Sequence, residues 1–413
     1  MNGAGGRTSA AQAVSVARHS LGWLVAANLV GVWLATVLLW PAVGDRIAPF
    51  TYGRWMPLHL DWQLYGWTAL PVVGVLLARF LDDRGLAAAR AALAAWSLAL
   101  ALGGVSWLTG HESGKLFLEW TGLARPLLPA AMLILWGVLA WATLRSWPAL
   151  APRERWLRGG LLAVLLPVPQ ALFWAMGREV YPAVNPDSGG ATGAALLGST
   201  LGIVTIFLLL PALLGVRAAH PRLRPRVVGA LLGASWLLFA VISHGHVSHH
   251  AASAIAALGS LLLWIPLLAR FWLDHAWSDA ARPWVRAALV WWALLVASGW
   301  VSFLPGVSEA LKFTHGLVGH AHLAMAGLVT SVNAVLLTTL AGRPAPRGVF
   351  AAWQLGCALH VAALLALGAV EREHAAELFR SEAWTQALLG LRLAAGAVML
   401  LASVRWWADF RRA

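Results

Sequence analysis

The chain has 413 residues, of which 60% are hydrophobic and 11% charged. That balance excludes an ordinary soluble domain, which would be left with large apolar patches in water. The net charge of +13 does not call for a nucleic-acid partner: almost all of it is arginine in short segments between apolar runs, where it reads as a topology signal. A single cysteine, Cys357, lies inside an apolar run, so neither a disulfide framework nor a thiolate metal site can be built.

A transmembrane helix needs about 20 apolar residues. Runs of that kind fall at about 20–44, 56–80, 86–109, 125–147, 157–177, 190–216, 226–246, 251–273, 284–305, 314–341, 349–370 and 384–408. The segment before Leu21 is polar and rich in small residues, and the run after it is too long for a signal peptide, so it is expected to remain as the first span. The expectation is an all-α, polytopic membrane protein forming one transmembrane domain over 1–413, with about twelve spans. No repeat, low-complexity tract or long linker interrupts the pattern.

The loops alternate in character. Arg7 and Arg18, Arg84, Arg153 with Arg155 and Arg158, Arg217 with Arg222, Arg224 and Arg226, Arg282, Arg343 with Arg347, and Arg405 with Arg411 and Arg412 form one set. The positive-inside rule assigns that set, and both termini, to the cytoplasm. Asp45, Glu112, Glu119, Glu179, Asp187, Glu309, Glu371 and Glu373 mark the opposite side. Of the 26 tryptophans, Trp55, Trp147, Trp156, Trp384 and Trp406 stand near span ends, as in an interfacial belt.

On this topology the 14 histidines gather. His59 opens the second span; His244, His246, His249 and His250 lie between the seventh and eighth; His315, His320 and His322 occupy the first turns of the tenth. All are expected on the outer side. His111 and His374 fall in outer loops, His19, His220 and His275 on the inner side, and His360 in mid-span. Ionisable residues at membrane depth are costly and mark function by default. Residues two apart on an α-helix point about 200° apart, so His320 and His322 cannot share one metal. They can each serve a different heme, one on either flank of the helix, and His59 has the depth to be the second axial ligand of one of them.

The run Phe313 to Gly327, FTHGLVGHAHLAMAG, resembles the tenth-span signature of the heme-copper oxidase superfamily, closest to the large subunit of nitric oxide reductases and subunit I of the C-family cytochrome c oxidases. Pro57 to Trp67, PLHLDWQLYGW, is similar to their second helix. The resemblance implies a helical bundle in a bacterial inner membrane, holding one or two hemes b and a copper or non-heme iron ion. Within it, His59 and His322 would be axial ligands of a low-spin heme, and His320 that of a high-spin heme. Two of His244, His246, His249 and His250 would bind the second metal, and the spacing leaves open which two. It also implies electrons arriving from a cytochrome c, another electron-transfer subunit or a quinol, and reduction of nitric oxide or oxygen.

The departures are as definite. The sixth span, which opens NPDSGGATG at Asn185, has no histidine and no glutamate, and the tyrosines Tyr52, Tyr65 and Tyr181 all lie outside the sixth and seventh spans. Asp187 or Glu179 is then a possible oxygen ligand. Two other readings stay open: a non-catalytic heme protein for electron transfer or gas sensing within a larger complex, and a metal-ion transporter. Divergent imidazoles and scarce mid-span acids argue against transport. Lipid is the expected surround.

Overall fold

The computed structural model describes residues 10–219, 224–371 and 382–412; Arg7, His220, Arg222, Glu373 and His374 lie outside them. The described chain is helical and carries no strand. In chain order the long helices are α1 (Ala10–Leu39), α2 (Tyr52–Asp61, continued by Trp62–Thr68 and Ala69–Phe80), α3 (Asp83–Leu108), α4 (Gly122–Ala149), α5 (Pro152–Ala175), α6 (Gly193–Leu213), α7 (Pro225–Val241), α8 (Ala252–Leu273), α9 (Arg282–Phe303), α10 (His315–Ala341), α11 (Val349–Glu371) and α12 (Ala383–Arg411). Ten of them are long and apolar enough to cross a membrane; α2 and α7 fall outside that set. This is a polytopic membrane protein.

The chain forms two compact units. One comprises 1–181, 336–349 and 396–413, the other 182–335 and 350–395.

In the first unit, α1 begins ten residues before the apolar run does. Ala13, Val16, Ala17, Leu21 and Leu24 form a buried stripe at helical spacing. Two of the polar residues between find partners: Arg18 Nε donates to Phe410 O at 2.9 Å, and His19 Nδ1 is bonded to Ser97 Oγ at 2.7 Å. Hydropathy alone penalises these side chains; their hydrogen bonds remove the penalty.

The two helices that carry the histidine motifs share a device. Each contains a π-helical segment just after its histidines, Trp62–Thr68 in α2 and Leu323–Val329 in α10. A widened turn displaces the backbone ladder and leaves a carbonyl for an outside donor. Trp96 of α3 donates its indole N–H to Tyr65 O at 2.9 Å, and Trp353 of α11 donates to Ala326 O at 2.9 Å. Each segment also has a glycine against a ring: a Cβ on Gly66 would come within 2.7 Å of Trp23, and one on Gly327 within 2.6 Å of Trp291. Indole-to-carbonyl bonds recur elsewhere, as from Trp62 to Leu100, Trp136 to Leu162 and Trp292 to Trp264. Much of the tryptophan therefore pins helix to helix rather than lining an interface. Trp156 is exposed as a belt residue should be, but Trp406 is buried edge-on against Trp67.

In the second unit the start of α10 packs on the end of α11 backbone to backbone. A Cβ on Gly368 would meet Gly316 N at 2.1 Å and Cα at 2.4 Å, atoms that cannot swing aside. Beside this contact Glu371 accepts from His315 N at 2.7 Å and lies 3.0 Å from its Nδ1. Gly368→Ala is expected to cost about 1–3 kcal/mol by overpacking, read as a lowered thermal unfolding midpoint in detergent. An unchanged midpoint would show that the two helices can part without loss.

Candidate functional site

Two of the proposed heme ligands share a tautomer. His59 Nδ1 donates to Ala27 O at 2.8 Å, and His322 Nδ1 donates to Val318 O at 2.8 Å. A carbonyl only accepts, so each neutral imidazole has its lone pair on Nε2. His320 Nδ1 is bonded to Ser298 Oγ at 3.1 Å, which likewise leaves Nε2 as the outward atom. Metal-binding histidines are held in just this way, with the second nitrogen fixed by a carbonyl or hydroxyl. Glycine clears space for one of the rings: a Cβ on Gly31 would meet His59 at 2.6 Å, whereas one on Gly299 would be in ordinary contact with His320, 3.6 Å from its Nε2.

His320 and His322 diverge as their spacing predicts. Both lie in the α-helical start of α10, before its π segment. His320 turns to Ser298 of α9. The ring of His322 stacks on His360 of α11, with centroids 4.7 Å apart.

His320 also walls a cavity of about 360 Å³ that lies wholly within the second unit. Its volume is in the range of ligand sites. Leu196, Leu258, Leu261, Trp292, Trp300 and Phe303 give it a largely apolar lining, with Ser188, Thr200, Ser302, Ser308, Lys312 and His320 as its polar side chains.

Beside residues of this cavity lies a cluster of side chains that could hold a metal ion. Asp187, His249 and His250 each bring a ligand atom within 4.8 Å of the others. Glu309, in the short helix Val307–Leu311 between α9 and α10, joins them: its Oε1 accepts from His249 Nε2 at 2.7 Å and from His250 Nε2 at 3.2 Å. His249 is fully buried. Its Nδ1 accepts from Asn185 Nδ2 at 2.7 Å and stands 3.7 Å from Asp187 Oδ2. Asp187 in turn accepts from the Ser248 hydroxyl. The His249 ring is 6.1 Å from that of Phe303, a cavity-lining residue, and Ser188 and Ser308, the neighbours of Asp187 and Glu309, line the cavity too.

Glu309 is strongly held as a carboxylate. Backbone N–H donation at its own position, the His249 imidazole and the Gly306 N–H pull its pKa down to about 2. A depressed carboxylate stabilises the folded state in full above its ordinary value, and that contribution is lost as pH falls toward about 2.

Of the four candidate histidines, the structure thus brings together His249 and His250. His244 Nε2 donates instead to Phe239 O of its own α7, at 2.9 Å, and His246 Nδ1 is bonded to Val184. Asp187 is in the cluster; Glu179 belongs to the other unit. Glu309 carried no sequence signal beyond its place among the outer-side acids.

Neither a protein-family model nor a curated protein matches this chain.

The donor set itself is informative. Two imidazoles and a carboxylate converge on one point, an arrangement suited to Fe(II), Zn(II) or Mn(II) and poorer in the soft donors that hold Cu(I). The cavity's lining is compatible with a heme: the His320 imidazole stands in its wall and most of the lining is apolar.

Proposed function

We propose that this chain is a heme b-binding subunit of a membrane oxidoreductase, with a divalent metal, iron in preference to copper, held beside the heme by His249, His250 and Glu309 with Asp187. His320 is the axial ligand of the heme in the second unit's cavity. His59 and His322 are assigned to a low-spin heme on the strength of their sequence motifs. The observation that carries the reading is the adjacency of the His320 cavity to the histidine–carboxylate cluster.

When bound, heme iron supplies one-electron redox change and an open face for a small gas. The chain's own residues do the rest. Ser298 orients the His320 imidazole, the leucine and tryptophan lining excludes water, and Asn185 fixes the His249 tautomer so that Nε2 faces Glu309. In this arrangement that Nε2 carries a proton, so a metal held there would require the proton to move to Nδ1, with the Asn185 amide turned to present its oxygen. Gas reduction, of nitric oxide or oxygen, is the activity this arrangement suits. Electrons would come from a cytochrome c or a comparable partner subunit.

The test is optical. Full-length protein produced with heme supplied should show a carbon-monoxide-sensitive b-type spectrum, and His320→Ala should abolish the carbon monoxide response. A carbon monoxide response that survives in His320→Ala would contradict the assignment.

The reading includes twelve spans in a bacterial inner membrane with both termini in the cytoplasm, on the arginine alternation. Reporters fused at Arg155, Arg224 and Arg347 are expected to read cytoplasmic, and those at Glu112, Asp187 and Glu373 external. A mixed result within either set would overturn this orientation and the side on which the cavity opens.

A further inference from the structure

The chain has only two lysines, Lys115 and Lys312, and they are treated oppositely. Lys115 is satisfied by the chain itself: its Nζ donates to Ala175 O at 3.1 Å and to the carbonyls of Gly177 and Val180, and it sits 4.7 Å over the Tyr181 ring. Lys312 lines the cavity that His320 walls. Among the described residues it makes neither a hydrogen bond nor an ion pair through Nζ; its one contact of that kind is with the face of Phe313, at 5.3 Å. Glu309 and Asp187, which adjoin the lining residues Ser308 and Ser188 in sequence, are engaged by His249, His250 and Ser248. Partial burial lowers the Lys312 pKa from its ordinary value, the mark of an ammonium that has given up water without gaining a counter-charge.

The backbone opposite has made room for it. A Cβ on Gly190 would stand 2.7 Å from Lys312 Nζ, so a side chain at that position would displace the ammonium. Ser188 and Ser308, with hydroxyls able to donate, line the cavity alongside it. A cation with hydroxyl neighbours, and with no hydrogen-bond or ion-pair partner among the described residues, in a largely apolar cavity calls for an occupant that is apolar over most of its surface and anionic at one edge.

We infer that Lys312 is the anchor for a carboxylate borne by the occupant of the His320 cavity, and that this carboxylate is a propionate of the heme. The inference rests on the heme reading above and adds to it the group that fixes the rotation of the macrocycle about the His320 axis. Lys312 is a positioning residue. A free organic acid shares the same carboxylate chemistry, and the experiment separates the two sources.

The experiment compares heme b with its dimethyl ester, which keeps the macrocycle and iron but carries no propionate charge. Each is titrated into heme-depleted full-length protein in detergent, and the carbon-monoxide difference spectrum reports occupancy at His320. A charge-assisted hydrogen bond corresponds to about tenfold in affinity. Wild type is therefore expected to hold heme b about tenfold more tightly than the ester. Lys312→Gln should lose that preference by weakening heme b alone, and Lys312→Arg, which retains the charge, should keep it. Equal affinity of wild type for the two hemes, or a preference for heme b that survives in Lys312→Gln, would overturn the anchor while leaving the heme reading intact. Equal affinity of wild type for the two hemes, together with saturable binding of acetate or butyrate that weakens in Lys312→Gln, would assign Lys312 to a free carboxylate and overturn the propionate. Failure of wild type to take up either heme would remove the heme reading itself, and the anchor with it.

Discussion

His320→Ala is expected to erase the carbon-monoxide-binding heme and leave the six-coordinate spectrum in place, whereas His322→Ala or His59→Ala is expected to do the reverse. The basis is that the two imidazoles on α10, two residues apart and about 200° apart around the helix, are held by different neighbours. His320 is fixed by Ser298 on α9 and faces the cavity, while His322 stacks on His360 of α11. Ligand sets that share no neighbour should fail independently. A bis-imidazole iron needs both of its axial ligands, so either His59→Ala or His322→Ala should take that signal to background. A His320→Ala protein that loses both signals together, with its unfolding midpoint unchanged, would refute the separation of the two sites. If the native protein shows the six-coordinate spectrum and binds no carbon monoxide, His320 is structural and the gas-reducing reading fails with it.

The second large effect concerns the non-heme metal. Protein supplied with ferrous iron is expected to hold one non-heme iron per chain. The double change His249→Ala with His250→Ala should bring that to background, because it removes both nitrogen donors of the cluster. Glu309→Gln keeps the shape and removes the charge, and should weaken metal retention at least as far as the loss of an outer partner does, about 10–100-fold. Imidazoles bind metal only when neutral, so affinity should fall as the solution is acidified. Glu309 is held at about 2, so it remains a carboxylate throughout that fall and the loss belongs to the histidines. His244→Ala and His246→Ala, whose rings are bonded away from the cluster, should leave the metal content unchanged. Absence of stoichiometric metal in the iron-supplied wild type would sink the cluster as a metal site, and retention of it in the double variant would place the metal elsewhere.

The apolar runs located α3 to α6 and α8 to α12 in the sequence to within a few residues, because in lipid a helix must be apolar and long, whereas α7 ends at Val241, short of its apolar run. The departures have local causes. The start of α1 hides behind Gln12, Arg18, His19 and Ser20, whose hydropathy is poor but whose side chains face the helix bundle. The buried Trp406 cannot be told from an interfacial tryptophan by position alone, since both stand near a helix end. The π segments of α2 and α10 are illegible from sequence because what selects them is outside the helix: the indoles of Trp96 and Trp353 and the rings that press on Gly66 and Gly327. At the site, the divergence of His320 and His322 followed from spacing alone. The choice of His249 and His250 over His244 and His246 did not, since it depends on how the loop after Val241 turns back. Glu309 was out of reach for the same reason: it meets His250 across 59 residues of chain, and no periodicity reports such a contact. Lys312 gave no motif, only its rarity.

The central claim is that this chain holds heme through histidines of α2 and α10, and the most direct measurement is a heme and metal inventory of the purified full-length protein, taken with its reduced and carbon-monoxide-treated spectra. The account predicts b-type heme released by acid, a six-coordinate spectrum dependent on His59 and His322, a carbon monoxide response dependent on His320, and non-heme iron in a one-to-one ratio with the chain. Protein that carries no heme when heme is supplied, or whose absorption is unchanged by His59→Ala and His322→Ala, would contradict it.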